Sequence, residues 1–215
     1  MKSILIIGLG RFGQHLCRKM VELKNEVMVI DVKEENVEAV VPMVTSAQIG
    51  DCTNVEVLKS IGVANFDVCF VCIGNNFQNS LEVTSLVKEM GAKYVVSRAV
   101  RDIHAKFLLR NGADEVIHPD SDIAERVAKR FSRRSIFDYI ELNKEYSIYE
   151  IPPFEECIGK TIKESNFREK YDANILGIKE TAESPMIMPT SDHVFLANEH
   201  VVIFGKRKML DKYIK

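Results

Sequence analysis

The hexapeptide Gly8-Leu9-Gly10-Arg11-Phe12-Gly13 constrains this chain more than any other feature. It follows Ser3-Ile4-Leu5-Ile6-Ile7 directly, and a second apolar run, Glu26-Val27-Met28-Val29-Ile30-Asp31, ends in an acid. The order is strand, glycine turn, helix, strand, carboxylate, the G-x-G-x-x-G signature of a dinucleotide-binding βαβ unit in its structural context. Gly8 permits a tight turn out of the first strand. Gly10 lets the backbone approach a pyrophosphate with no Cβ in the way, and Gly13 lets the helix pack closely on the sheet. A helix opening at Arg11 aims its free N–H groups and the positive end of its dipole at phosphates, with Leu9 and Phe12 bordering the same turn. Asp31, followed by Val32, ends the second strand where a carboxylate accepts from ribose hydroxyls. The same charge repels a 2′-phosphate and so disfavours NADP.

The pattern continues beyond this unit. Strand-like runs at 3–7, 26–31, 45–49, 67–73, 93–97 and 114–118 alternate with amphipathic segments. Such short, apolar, β-branched runs fit strands covered on both faces. Phe12, Leu16, Met20 and Leu23 line one side of the first helical segment; Leu81, Leu86, Val87 and Met90 do so in the fourth, with Gly91 as its stop. Asp120-Ser121-Asp122 opens the last helix of the series, Ile123, Val127 and Phe131 mark its apolar side, and Arg133 and Arg134 close it with positive charge. Residues 1–131 therefore read as an α/β doubly wound parallel sheet of Rossmann type. Residues 132–145 read as a connector. Residues 146–215 read as a small α+β unit: a strand near Ser147–Ile151, a helix near Ile162–Lys170, a strand at Ala173–Lys179, a turn through Glu183-Ser184-Pro185, a strand at His200–Gly205 and a final helix. At roughly 70 residues this unit is near the lower limit for independent stability, and packing against a second copy would support it.

Composition removes several classes of function. A net charge of −2 over 215 residues argues against a general nucleic-acid binder. No apolar run reaches the length of a membrane span, and the first strand begins almost at once, which leaves no room for a signal peptide and points to a cytosolic chain. Cys69-Phe70-Val71-Cys72 invites a redox or zinc reading, but on a strand positions i and i+3 face opposite ways and no second cysteine pair completes a metal site. Those cysteines read as core residues.

Three further strand ends open on the same crevice, because ligands of such sheets bind at the carboxyl ends of the strands. Gly50-Asp51-Cys52 runs beside the adenine, Ile73-Gly74-Asn75 borders the ribose and phosphates, and Arg98 reaches a phosphate. Arg11 stands against the helix dipole and is mildly unfavourable there without an anion, so it suits a terminal phosphate. Hydride transfer needs an acid–base group and a substrate pocket. The histidines His15, His104, His118, His193 and His200 form no defensible pair with Asp or Lys, and no nucleophile elbow or metal cluster appears. The chain reads as a binding site without a catalyst. An NAD(H)-sensing binding protein and a small NAD-dependent oxidoreductase stand as alternatives.

These residues together resemble the cytosolic regulatory subunits of Trk/Ktr-type potassium uptake systems, built from an RCK N-terminal and a small RCK C-terminal domain. The resemblance spans essentially the whole chain. It rests on Gly8–Gly13 with Arg11, Asp31, Gly50-Asp51-Cys52-Thr53, Ile73-Gly74-Asn75, Arg98, His118-Pro119, Gly159-Lys160-Thr161-Ile162 and Asn174-Ile175-Leu176-Gly177-Ile178. It implies a non-enzymatic gate: dimers assembled into an octameric ring beneath a membrane potassium-translocating subunit, peripheral to the inner face of the membrane, with ATP, ADP or NAD(H) in the crevice. By the same resemblance Arg11 senses the terminal phosphate and the helix near Asp122–Arg134 carries dimer contacts. Asp120 matches a position that helps hold a cation between the nucleotides of a dimer. Some relatives bind cyclic di-AMP between two C-terminal domains; the matching positions are Ile162, Lys163, Arg168, Asn174 and Pro189, with Lys163 where an apolar residue is expected.

Overall fold

The computed structural model describes residues 1–131 and 136–214. Along the first part run β1 (Ser3–Ile7), α1 (Arg11–Glu22), β2 (Glu26–Asp31), α2 (Glu34–Glu38), β3 (Ser46–Ile49), α3 (Val55–Ile61), β4 (Val68–Val71), α4 (Phe77–Glu89), β5 (Val95–Arg98), α5 (Asp102–Arg110), β6 (Glu115–Ile117) and α6 (Pro119–Phe131). The six strands form one parallel sheet in the order β3-β2-β1-β4-β5-β6. All six expected strands are present, with bounds within two residues of the expected ones. The order reverses between β1 and β4, the switch point above whose carboxyl strand ends open α/β sheets hold their ligands in a crevice.

Alternation along the strands builds a core on each face of this sheet. Leu5 and Ile7 join Ile30, Cys69, Val71, Val83 and Val95 on one face, while Ile4 and Ile6 join Val27, Val29, Cys17 and Cys72 on the other. Cys69 and Cys72 thus enter opposite cores, and all five cysteines are free and buried. Desolvation pushes the thiols of Cys69 and Cys72 up to about 12, which keeps both neutral.

Several local expectations need correction. Leu23 follows α1 and is exposed; Gly13 and Cys17 are the buried members of that helix, because the helix sits so close to the sheet that small residues fill the contact. In α4 the buried residues are Ser80, Val83, Thr84 and Val87. Thr84 is tolerated there because its hydroxyl donates to the Ser80 carbonyl at 2.7 Å and pairs with the Ser97 hydroxyl at 2.9 Å, whereas the Ser80 hydroxyl has no partner among the described residues. Helix α6 begins at Pro119, which is pre-organised for the first helical position. Arg133 and Arg134 lie outside the described residues.

The second part holds β7 (Asp138–Glu141), β8 (Tyr146–Ile151), α7 (Ile162–Ser165), α8 (Phe167–Tyr171), β9 (Ala173–Lys179), β10 (His200–Lys206) and α9 (Arg207–Leu210). Its sheet is antiparallel, in the order β7-β8-β10-β9. The segment 132–145 is more than a connector, since β7 pairs with β8 from Asp138↔Glu150 to Glu141↔Ser147. The single helix expected near Ile162–Lys170 is two short ones, broken where Asn166 takes a left-handed conformation at φ 47°. A core of Tyr149, Ile151, Phe167, Tyr171, Phe195, Val201 and Ile203 fills this α+β unit. Contacts divide the chain into two compact units, Met1–Ser121 and Asp122–Lys215. No helix among the described residues is long and apolar enough to cross a membrane.

Candidate functional site

The glycine turn is locked by its own backbone. Gly8 sits at φ 92°, which favours glycine, and its N–H donates to the Ile30 carbonyl at 2.8 Å. A Cβ on Gly8 would stand 3.3 Å from the backbone of Cys72 and Ile73, and one on Gly13 would stand only 2.1 Å from the Gly8 carbonyl oxygen. Gly10 differs from both. Its φ of −61° suits any residue, and a Cβ there would meet nothing within 4 Å. Neither packing nor backbone geometry within the chain requires a glycine at this position, which faces open space at the N-terminus of α1.

Asp31 ties the turn to β2. Its carboxylate accepts from the Leu9 N–H at 2.5 Å, the Lys33 N–H at 2.9 Å and Asn36 Nδ2 at 3.1 Å. A carboxylate offers about four acceptor sites, so roughly one remains for a ligand hydroxyl before Asn36 must yield. Val32 beside it is exposed. Gly50 joins the same strand end, donating its N–H to the Asp31 carbonyl at 3.0 Å. Asp51 folds its own loop by accepting from the Thr53 N–H and hydroxyl at 3.0 and 2.8 Å. Cys52 is buried, and desolvation, with Asp51 and Asp31 adding to it, pushes its thiol up to about 12. It is therefore a neutral wall residue.

On the other side of the switch point, Ile73 and Gly74 are half-buried and Asn75 is exposed. The Arg98 guanidinium reaches this loop: a Cβ on Gly74 would stand 2.6 Å from Arg98 Nη1. The guanidinium also lies 5.8 Å from the centre of the Phe12 ring, and its Nη2 donates to Asp120 Oδ2 at 3.0 Å. Arg11, in the first turn of α1, is exposed. The structure thus gathers Gly8–Gly13, Asp31, Gly50–Cys52, Ile73–Gly74, Arg98 and Asp120 around the strand ends. Sequence reasoning missed Asn36 and Gln14; the latter donates from Nε2 to the Leu9 carbonyl at 3.0 Å and braces the turn. Their polar side chains at the first turns of α2 and α1 were the available signal.

Asp120 takes Arg98 as its partner, and no cluster of three or more His, Cys, Asp or Glu groups suited to a metal occurs among the described residues. Within one chain the group beside the Asp120 carboxylate is the Arg98 guanidinium. In the second unit Ile162 and Lys163 open α7, Arg168 is exposed on α8, Asn174 is exposed on β9, and Pro189 lies in the loop before Thr190. The backbone N–H groups of Ile162 and Lys163 donate to the carbonyls of His193 and Ser191, which lays that loop along α7.

Among the histidines, His104 is buried within α5, against Phe77. His193 pairs with Glu199 at 3.1 Å and His200 with Glu150 at 2.7 Å, two His–Glu pairs that spacing in the sequence did not reveal. Phe137 stacks on His200 at 3.8 Å and Lys179 also binds Glu150, so this second pair is enclosed by the sheet that carries it.

Fold and crevice together define a Rossmann-type nucleotide-binding unit followed by a small antiparallel α+β unit. The TrkA-N domain model matches residues 4–119 and the TrkA-C domain model residues 146–215, so the chain belongs to the TrkA-N/TrkA-C family of potassium uptake proteins. It is 35% identical over 214 residues to the Ktr system potassium uptake protein C of Bacillus subtilis, covering 100% of this chain and 96% of that protein. It is 34% identical over 212 residues to protein A of the same system and organism, covering 99% and 95%. Among solved structures it is similar to the GsuK channel, at a TM-score of 0.71 and 21% identity over 99% of this chain and 39% of that one. A GsuK structure bound to NAD aligns with a TM-score of 0.67 at 21% identity, over 97% of this chain and 38% of that one. The chain thus spans well under half the length of these channel chains, and the likeness to them is one of fold.

Proposed function

We propose that this chain is a non-enzymatic, cytosolic gating subunit of a potassium uptake system, binding ATP, ADP or NAD(H) in the β1/β4 crevice and acting on a membrane potassium-translocating subunit through the shape of a ring of copies. The observation that carries the binding step is Gly10, a glycine that neither packing nor φ requires, facing open space where α1 directs its N-terminal N–H groups. Full-length relatedness to Ktr system potassium uptake proteins supports the physiological setting. Asp31 then holds the adenosine ribose, exposed Val32 offers the adenine an apolar edge, and Arg11 meets the terminal phosphate.

A gate of this kind works by differential affinity, since a ligand shifts the ring only as far as it prefers one shape. The test is calorimetric titration of the full chain with ATP, ADP, NAD, NADH and cyclic di-AMP, with particle mass followed by light scattering. Asp31→Ala is expected to weaken every adenosine ligand roughly tenfold or more, the scale of a charge-assisted hydrogen bond. Arg11→Ala is expected to erase the ATP/ADP preference while leaving adenosine binding intact. A chain that stays monomeric and indifferent to all five ligands would defeat the proposal. Cyclic di-AMP binding lost in Arg168→Ala would assign the second unit a messenger site of its own.

A further inference from the structure

Arg98 is held in an asymmetric way. Its side chain is 19% exposed, whereas that of its partner Asp120 is 81% exposed. The guanidinium rests near the face of Phe12 and fills the space that Gly74 leaves open, and its Nε has no hydrogen-bond partner among the described residues. Phe12 belongs to the glycine turn and Gly74 to the loop across the crevice. A largely buried cation therefore stands where a ligand's phosphates would lie, and its carboxylate partner is almost fully in water. Such a pairing is easily exchanged. The buried cation keeps its demand for an anion, while an exposed carboxylate loses little on release because water replaces the contact.

We propose that Asp120 is a stand-in for a ligand phosphate. In the unliganded chain it neutralises Arg98, and a phosphate group entering between the glycine turn and the Ile73–Asn75 loop displaces it. This rests on the nucleotide-binding reading above and adds its regulation. Only hydrogen-bond acceptors on the guanidinium are exchanged. The released carboxylate stays in the first turn of α6, where a helix N-terminus favours negative charge. Binding is thereby coupled to the start of α6, and by reciprocity whatever draws Asp120 away from Arg98 tightens nucleotide binding by the same factor.

The experiment is titration calorimetry of the full chain, free of divalent cations, with ATP, ADP and adenosine. Four proteins are compared: wild type, Asp120→Asn, Arg98→Gln and the double variant. Asp120→Asn should tighten ATP and ADP roughly two- to fivefold, the scale of an exposed ion pair, and leave adenosine unchanged. Arg98→Gln should weaken ATP and ADP, and in that background Asp120→Asn should have no further effect. An equal tightening in both backgrounds would mean simple charge repulsion by Asp120 and would overturn the proposal. Unchanged or weaker ATP binding in Asp120→Asn would overturn it as well. Because Asp120 is exposed, its variant keeps the fold, and the contrast between ATP and adenosine decides the matter even where Arg98→Gln does not fold. If wild type and Asp120→Asn alike bind none of the three ligands, the nucleotide reading itself is wrong and this inference goes with it.

Discussion

His104 carries a clear electrostatic penalty in the first unit. Its side chain packs on Phe77 with ring centres 4.9 Å apart, and Nε2 has no hydrogen-bond partner among the described residues. Burial first, then the charges of Arg101 and His118, hold its pKa below the ordinary 6.5. The unfolded chain therefore takes up this proton at a higher pH than the folded one. Stability is intact above the unfolded value and falls as pH drops through it toward the folded value. His104→Phe removes the group and keeps an aromatic ring against Phe77. Its melting temperature should fall less between about pH 7.5 and about pH 5.5 than that of wild type, as read by scanning calorimetry. Equal losses would show that His104 is not the titrating group. At this scale legibility follows sequence distance. Gly8, Gly13 and Asp31 were readable because a turn and a strand end express their chemistry within a few residues. The Arg98–Asp120 pair joins residues 22 positions apart and exists only once β5, β6 and the first turn of α6 are placed side by side.

Elements were most legible where burial is two-sided. β1 and β2 were read at their observed bounds because buried parallel strands are nearly continuous apolar runs. β7 was not, since Asp138-Tyr139-Ile140-Glu141 is a short edge strand whose pattern carries little signal. The helix break at Asn166 was hidden because Ile162 to Lys170 is compatible with helical spacing, and the capping box of Thr161 with Glu164 announces only the start. The contact between α1 and β1 shows how narrow the tolerances are. Gly13→Ala would set a Cβ against a backbone carbonyl that cannot swing aside, because Gly8 is itself fixed by its positive φ and its bond to Ile30. Overpacking of this kind costs about 3 kcal/mol at its upper range. For a chain of this size that lowers the melting temperature by roughly 6–12 °C, measurable by circular dichroism. A drop below a few degrees would mean that α1 rides freely on the sheet.

Under the proposed function, the whole molecule converts a small event in the β1/β4 crevice into a change of assembly. Helix α6 presents Ile123, Val127 and Phe131 at helical spacing, exposed by 63%, 48% and 75%. Covering such a row is favourable at about 25 cal/mol per Å², which makes it the face on which the proposed assembly is tested. The same helix starts with Asp120, the carboxylate paired with Arg98 in the crevice. If the proposed ring forms across α6, ligand exchange at Arg98 acts at the root of the helix that holds copies together. Coupling of this sort is typically ~1–3 kcal/mol per site, whereas a complete switch needs about 5.5 kcal/mol, so one site is insufficient and several acting together suffice. Val127→Glu places a charge in the middle of the stripe without touching the crevice. It is expected to lower the particle mass in sedimentation velocity at equal concentration while leaving adenosine affinity at the wild-type value. It should also remove any change of mass between the ATP and ADP forms. Unaltered mass in this variant would exclude α6 as the assembly face. Reduced mass with unaltered ligand dependence would instead place the responsive contact elsewhere in the chain.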